Sequence, residues 1–154
     1  MSSKNSTAVA EAAETISANC LAARIRLLHR TVTSIFDEAL RPLGLTDAQL
    51  TILVMVANRS PVSPGAVARH LNMQKSTISR NVARMGKNGW LTVSDGQSGR
   101  EQQLTLTPKG KALLVKAFPL WNEAQTRAKA VLGQRGAAAV RSLGQGIWSQ
   151  IGRG

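Results

Sequence analysis

The stretch "LNMQKSTISRNVARMGKNGW", residues 71–90, combines four cations with a helical repeat of apolar residues and contains no acidic residue. Ile78, Val82 and Met85 stand at i, i+4 and i+7, which predicts one apolar helix face. The opposite face would carry only cations, amides and small hydroxyls. Lys and Arg attract phosphates, and Arg can also bond bidentately to a guanine edge. This pattern favours a helix that binds a polyanion.

The charge of the whole chain agrees with such a partner. The 154 residues hold 20 Lys and Arg against 8 Asp and Glu, a net charge of +12. No acidic residue lies between Asp47 and Asp95, where six cations stand. Nucleic acid or an anionic membrane surface would fit this excess. A merely solvated basic face stays open as the alternative, above all for Arg84 and Lys87 near the predicted helix end.

Other features narrow the class of protein. The longest wholly apolar run, residues 52–57, is too short to cross a bilayer. The N-terminus lacks the hydrophobic core of a signal peptide, and a single cysteine, Cys20, excludes an intrachain disulfide framework. We therefore expect a cytoplasmic protein without a membrane partner.

The elements around residues 71–90 predict a helix-turn-helix. Residues 46–49, "TDAQ", form a capping box that starts a helix ending by residue 60. This helix holds Leu50, Leu53, Val54 and Ala57 on one side, which predicts its apolar face. Ser63 and Pro64 start a short helix that ends near residue 71. After a three-residue break, the recognition helix runs from residue 75 to about 88, with Gly89 as its left-handed cap.

A β-hairpin follows the recognition helix and predicts a wing. Residues 90–94 and 102–107 are predicted strands, and Asp95-Gly96 and Gly99 favour a turn between them. Residues 15–40 and the segment from Thr107-Pro108 onward are predicted helices with apolar seams. Pro119 should kink the second of them and Gly133 should break it, so that a last helix begins at about residue 136.

The predicted fold is mostly α with a small β-wing, an α+β winged helix-turn-helix core flanked by long terminal dimerisation helices. We expect a flexible tail over residues 1–14. Residues 15–45 together with 108–154 would form the dimerisation region, and residues 46–107 the DNA-binding domain. The seamed terminal helices have no partner layer within one chain, which favours pairing with a second copy.

The chain resembles the MarR family of bacterial winged-helix transcriptional regulators over roughly residues 20–150. The resemblance rests on "VTSIFDEALRPLGLTDAQLTIL", "VARHLNMQKSTISRNVARMGKNGWL", "DGQSGREQQLTLTPKGKALL" and "PLWNEAQTRAKAVLG". It implies a homodimer that binds adjacent major grooves of a pseudo-palindromic double-stranded operator. The family's wing commonly reads Asp-Pro-x-Asp-Arg-Arg, so Ser98 and Gly99 here replace an Asp and an Arg, while Asp95 and Arg100 keep their places.

The candidate DNA-binding residues follow from this resemblance and from the outward face of the recognition helix. Ser63 would hold a phosphate and Arg100 would enter the minor groove. The full set is Ser63, Gln74, Lys75, Ser76, Thr77, Ser79, Arg80, Arg84, Lys87, Gln97, Ser98 and Arg100.

Catalytic and metal chemistry find little support in the sequence. His29 and His70 stand on separate predicted helices, and no HExxH, GxSxG or P-loop motif is present. Zinc-type ligand spacing among Cys20, His29 and His70 is absent. We expect neither an enzyme nor a cofactor.

Two mechanisms could release such a protein from DNA, and the sequence leaves both as alternatives. In the family that this chain resembles, small aromatic acids often bind between the dimerisation helices and the winged helix. The resemblance therefore implies a small aromatic or acidic effector near Arg26, His29, Arg30 and Trp121, although core or interface roles remain the alternative for each of them.

Oxidation of Cys20 is the second switch, because some family members switch through a cysteine early in the first helix. Those members rely on tyrosines beside the thiol, whereas this chain has no tyrosine and only Arg24 stands near to stabilise a thiolate. The alternative for Cys20 is a small apolar residue of the helix. The predicted function is a sequence-specific DNA-binding repressor released by an effector. A nonspecific architectural DNA-binding protein and a protein-docking winged helix are the alternatives.

Overall fold

The computed structural model describes residues 2–96 and 101–151. It is helical apart from one small antiparallel sheet, so the prediction of a mostly α fold with a β-wing is confirmed. A short 3-10 helix, Arg41–Leu43, joins the second and third helices. The elements are α1 Ser2–Asn19, α2 Leu21–Leu40, α3 Asp47–Arg59, α4 Pro64–His70, α5 Lys75–Lys87, β1 Leu91–Asp95, β2 Gln102–Leu106 and α6 Pro108–Ile151.

The chain divides into two units, Met1–Ser34 and Ile35–Gly154. The first unit differs from the sequence prediction, because α1 covers the expected flexible tail and α2 begins at Leu21 rather than near residue 15. Alanine is the best helix former, and α1 is rich in alanine. Every residue from 5 to 19 is nevertheless exposed. The stability of α1 therefore rests on local propensity.

The second unit contains the winged helix, and its helix ends follow the predicted local rules. Thr46 Oγ1 accepts from the Gln49 amide, while Gln49 Oε1 accepts from the Thr46 amide, which completes the predicted capping box. Ser63 caps α4 through the Ala66 amide, with Pro64 at the first position. Gly89, with φ of 72°, ends the recognition-helix segment as expected.

The core lies between the helices of the winged helix and its sheet. β1 and β2 are antiparallel, with Val93 opposite Leu104. Leu104 is fully buried and also exchanges two backbone hydrogen bonds with Val62, which precedes α4. This added pairing fixes the base of the wing against the helix-turn-helix. Sequence periodicity does not reveal it, because the two residues are far apart in the chain.

Helix α3 buries a different surface from the one that its sequence predicts. Leu50 and Leu53 are buried as expected, but Val54 is 41% exposed and Ala57 is exposed. Three other apolar residues fill the core instead: Ile52, Met55 and Val56. The helix is apolar almost all round, so its periodicity alone does not decide which face is covered.

Helix α6 continues through Pro119 and is interrupted at Gly133, whose φ of 68° and ψ of 167° are not helical. The predicted break at Gly133 is therefore confirmed, although helix resumes directly after it rather than at residue 136. Within the described ranges no single helix is long and apolar enough to cross a membrane. One bent pair of helical segments has the length and apolar composition of a membrane span when its two members are taken together, and these are Leu21–Leu43 and Asp47–Arg59.

Candidate nucleic-acid interface

Helix α5 has one buried apolar face and one exposed polar face. Ile78, Val82 and Met85 are buried, as their spacing predicts. Thr77 is half-buried. The other candidate contacts at the start of α5 and along it are exposed, and they are Gln74, Lys75, Ser76, Ser79, Arg80, Arg84 and Lys87. A cationic surface free of acidic side chains is therefore built on a helix that the core holds in place.

The side chain of Arg80 lies along the exposed face. Its Nε donates to the Ser76 carbonyl oxygen at 3.3 Å, one turn earlier. Asn81 Nδ2 donates to the Thr77 carbonyl oxygen at 3.0 Å, on the border between the two faces. Arg80 is thus oriented by its own helix, while the terminal nitrogens of its guanidinium remain as donors for a partner.

Ser63 occupies a more internal position than the other candidates. Its side chain is buried at 7% exposure, and its Oγ accepts from the Ala66 amide at 3.2 Å. The hydroxyl therefore has a structural role as the N-cap of α4. Its predicted phosphate contact stays a prediction.

The tip of the wing carries three more candidates, Gln97, Ser98 and Arg100, which lie outside the described residues. The stem is described on both sides of them. The Gly96 amide donates to the Glu101 carbonyl oxygen at 2.8 Å, which closes the hairpin. A Cβ on Gly96 would stand 2.6 Å from that oxygen, so the close approach of the two strands requires glycine here.

Two charged residues that the sequence prediction left out lie on either side of Gly65, where the tip-side end of β2 approaches α4. A Cβ built on Gly65, in the first turn of α4, would lie 3.7 Å from Arg69 Nη1. The same point is 3.8 Å from Glu101 Oε1. Glu101 and Asp95 are the only acidic residues between Asp47 and Glu123. That scarcity of negative charge was the sequence signal that could have singled out Glu101.

An ion pair links α2 to α6 within the second unit. Arg127 Nη2 donates to Glu38 Oε2 at 2.5 Å. The hydrogen bond from Arg127, and then its positive charge, hold the pKa of Glu38 below its ordinary value. Both side chains are about half exposed, so the pair contributes little to stability.

The predicted effector residues fall in both units. Arg26 and Arg30 line a shallow groove on α2, within the first unit, and His29 is exposed. Trp121 belongs to the second unit and stacks on Phe118, with ring centroids 6.2 Å apart. Both rings line a groove of 540 Å³ between α3 and α6 whose other apolar walls include Leu50, Val54 and Leu114.

Cys20 is half-buried at the junction of α1 and α2. Arg24 donates to the carbonyl oxygens of Ala18 and Cys20, so its hydrogen bonds go to the backbone rather than to the thiol. Among the described residues, no three His, Cys, Asp or Glu side chains come together as a metal site.

Comparisons with known proteins agree with this geometry. The model of the MarR family matches residues 43–101, which contain α3, α4, α5 and β1. The solved structure of the transcriptional regulator MosR from M. tuberculosis, in complex with DNA, is 30% identical, with a TM-score of 0.72. The match covers 85% of this chain and 98% of MosR. The chain belongs to the MarR family.

Other relatives define how far the likeness reaches. The uncharacterised regulator YwoH of Bacillus subtilis is 27% identical over 53% of this chain and 60% of its own length. The matched part spans less than two thirds of the curated relatives. MarR of E. coli shares the fold, with a TM-score of 0.69 at 19% identity. This MarR-family chain is a winged-helix, DNA-binding transcriptional regulator, and the relatives are regulators rather than enzymes.

Proposed function

We propose that this protein is a homodimeric, sequence-specific repressor that places α5 of each copy in the major groove of a pseudo-palindromic operator. The observation that carries the proposal is the exposed, acid-free face of α5 opposite its buried apolar face. The two recognition helices would lie about 34 Å apart, one turn of B-DNA. Lys75 and Arg80 would meet phosphates and base edges, with the hydroxyls of Ser76 and Ser79 between them.

Exposed apolar residues of the terminal helices support the homodimer. Ile25 on α2 is 64% exposed and Leu143 on α6 is 69% exposed. Single exposed apolar residues are common, but here they repeat along helices at the spacing of a packing seam. We assign residues 15–45 and 108–154 to dimerisation and residues 46–107 to DNA binding.

The groove between α3 and α6 supports a small-molecule effector. Its wall combines the stacked Phe118 and Trp121 rings with aliphatic side chains, and its one charged lining residue is Asp47. Carboxylates disfavour anions nearby. The groove between α3 and α6 therefore suits an uncharged aromatic ligand better than the aromatic acid that the sequence suggested. Oxidation of Cys20 is the alternative switch, and the hydrogen bonds of Arg24 to backbone oxygens lend it no support.

Footprinting of the upstream region of its own gene tests sequence-specific binding. We expect one protected region with two half-sites related by a two-fold axis. Protection that spreads evenly along the DNA would instead support the alternative of an architectural protein.

Operator binding should weaken steeply as the salt concentration rises. If the dimer neutralises about eight phosphates, log K against log salt should have a slope of about −7, because each contact releases condensed counterions. Fluorescence anisotropy with a labelled duplex between about 50 and 200 mM salt measures this slope. A slope near zero would contradict DNA binding through the exposed face of α5 and favour the protein-docking alternative.

Arg80→Ala should weaken operator binding by about 1–3 kcal/mol and relax the preference at one base pair. Arg80 is exposed on the polar face of α5, one turn after Ser76, and its guanidinium can donate two hydrogen bonds to one guanine. The measurement is a competition assay against single-base variants of the operator. Lys116→Ala, which removes one exposed cation from α6, is the matched control. If Arg80→Ala weakens operator and random DNA equally, Arg80 contacts only phosphate.

A further inference from the structure

We infer that Glu101 is a specificity-determining residue, which weakens binding to random DNA more than binding to the operator. Its carboxylate lies beside the first turn of α4, at the tip-side end of the wing's second strand. Gly65 separates it from the Arg69 guanidinium, and the point a Cβ would occupy there is within 4 Å of both side chains. This inference rests on the sequence-specific binding proposed above.

The position of Glu101 brings a negative charge close to the DNA backbone. In a helix-turn-helix the first helix crosses the phosphate backbone while the second enters the major groove. Here α4 is the first helix, and the backbone pairing of Val62 with Leu104 holds β2 against its start. Glu101 is exposed between α4 and the wing. A bound duplex therefore has Glu101 close to its phosphates, in a surface whose other acidic residue between Asp47 and Glu123 is Asp95.

This charge acts differently on the two kinds of DNA. Binding to random DNA comes almost entirely from phosphate electrostatics, so a nearby carboxylate reduces it directly. On the operator, base contacts from α5 fix the register, and Arg69 faces one defined phosphate. The attraction between Arg69 and that phosphate, on the other side of Gly65 from Glu101, then offsets the repulsion. The net result is a larger ratio of operator affinity to random-DNA affinity.

The test compares Glu101→Gln with the wild type on two duplexes in one buffer. One duplex carries an operator selected from a random library, and the other is scrambled. We expect random-DNA affinity to rise by about threefold to tenfold, as the loss of one close repulsion predicts. Operator affinity should change by less than twofold. Glu101→Asp, which keeps the charge, should restore the wild-type ratio.

Glu123→Gln is the matched control, because it removes one exposed carboxylate from α6 with the same change in net charge. Equal gains on random DNA for Glu101→Gln and Glu123→Gln would overturn the inference, as would equal gains on both duplexes for Glu101→Gln. Wild-type protein that does not discriminate between the duplexes would overturn the proposed function and this inference with it. If the wild type prefers the operator and Glu101→Gln has the same ratio of operator affinity to random-DNA affinity, the inference is overturned but the proposed function is not.

Discussion

Leu143→Glu should convert the proposed homodimer into a monomer and reduce operator affinity by about a hundredfold or more. Leu143 is 69% exposed within one protomer, so the substitution leaves the protomer's own core intact. In the proposed dimer the same position is buried against the second copy. A buried carboxylate without a partner costs several kcal/mol. Separating two linked half-site contacts removes an avidity gain of about 10²–10⁴.

Light scattering at micromolar protein and anisotropy on the operator measure the two effects together. Ser142→Glu is the control, because it adds the same charge at the neighbouring exposed position, off the line of Val140, Leu143 and Ile147. It should stay dimeric. If the Leu143→Glu protein remains a dimer with wild-type operator affinity, α6 beyond Gly133 is not part of the subunit interface.

Local rules predicted the winged helix well because its elements are specified by residues close together in sequence. The Thr46–Gln49 capping box is a four-residue signal, and the structure forms both of its hydrogen bonds. The apolar spacing of Ile78, Val82 and Met85 identified the buried face of α5 correctly. The exposed face then followed by exclusion, before any tertiary contact was known.

The same rules failed where burial depends on distant partners. Val54 continues an apolar face of α3, yet it borders an open groove because helix α6 does not cover it. The apolar pattern could not distinguish a core position from such a groove. The Ala-rich start of the chain was predicted as a tail since it lacks an apolar seam, although helix propensity alone favours α1.

The candidate site likewise combines features that local sequence specifies with features that depend on distant residues. Exposed cations and hydroxyls along α5 are readable from helical spacing. The approach of Glu101 to Gly65 is not readable from the sequence, since the two residues stand 36 positions apart. That contact exists only because Val62 and Leu104 pair their backbones. Side chains that act through such nonlocal pairing require the structure.

Gly110→Ala should destabilise the second unit by about 3 kcal/mol or more. A Cβ on Gly110 would stand 2.1 Å from the Trp90 carbonyl oxygen, and that oxygen belongs to the backbone rather than to a movable side chain. Overpacking a core costs about 1–3 kcal/mol, and a rigid backbone neighbour raises the cost. Thr107 Oγ1 accepts from the Gly110 amide and donates to the Gly89 carbonyl oxygen, so the strain reaches the end of α5.

Urea unfolding followed by circular dichroism measures the loss of stability, and the transition midpoint should fall strongly. Gly86→Ala is the control, because a Cβ on Gly86, in α5, would meet no atom within 4 Å apart from its chain neighbours and the backbone of its own helix. Alanine is a better helix former than glycine by about 1 kcal/mol, so this control should be neutral or slightly stabilising. Equal urea midpoints for Gly110→Ala and Gly86→Ala would show that α6 does not approach Trp90 as closely as the structure places it. A low midpoint for Gly110→Ala alone would support the close approach of α6 to the Trp90 carbonyl oxygen.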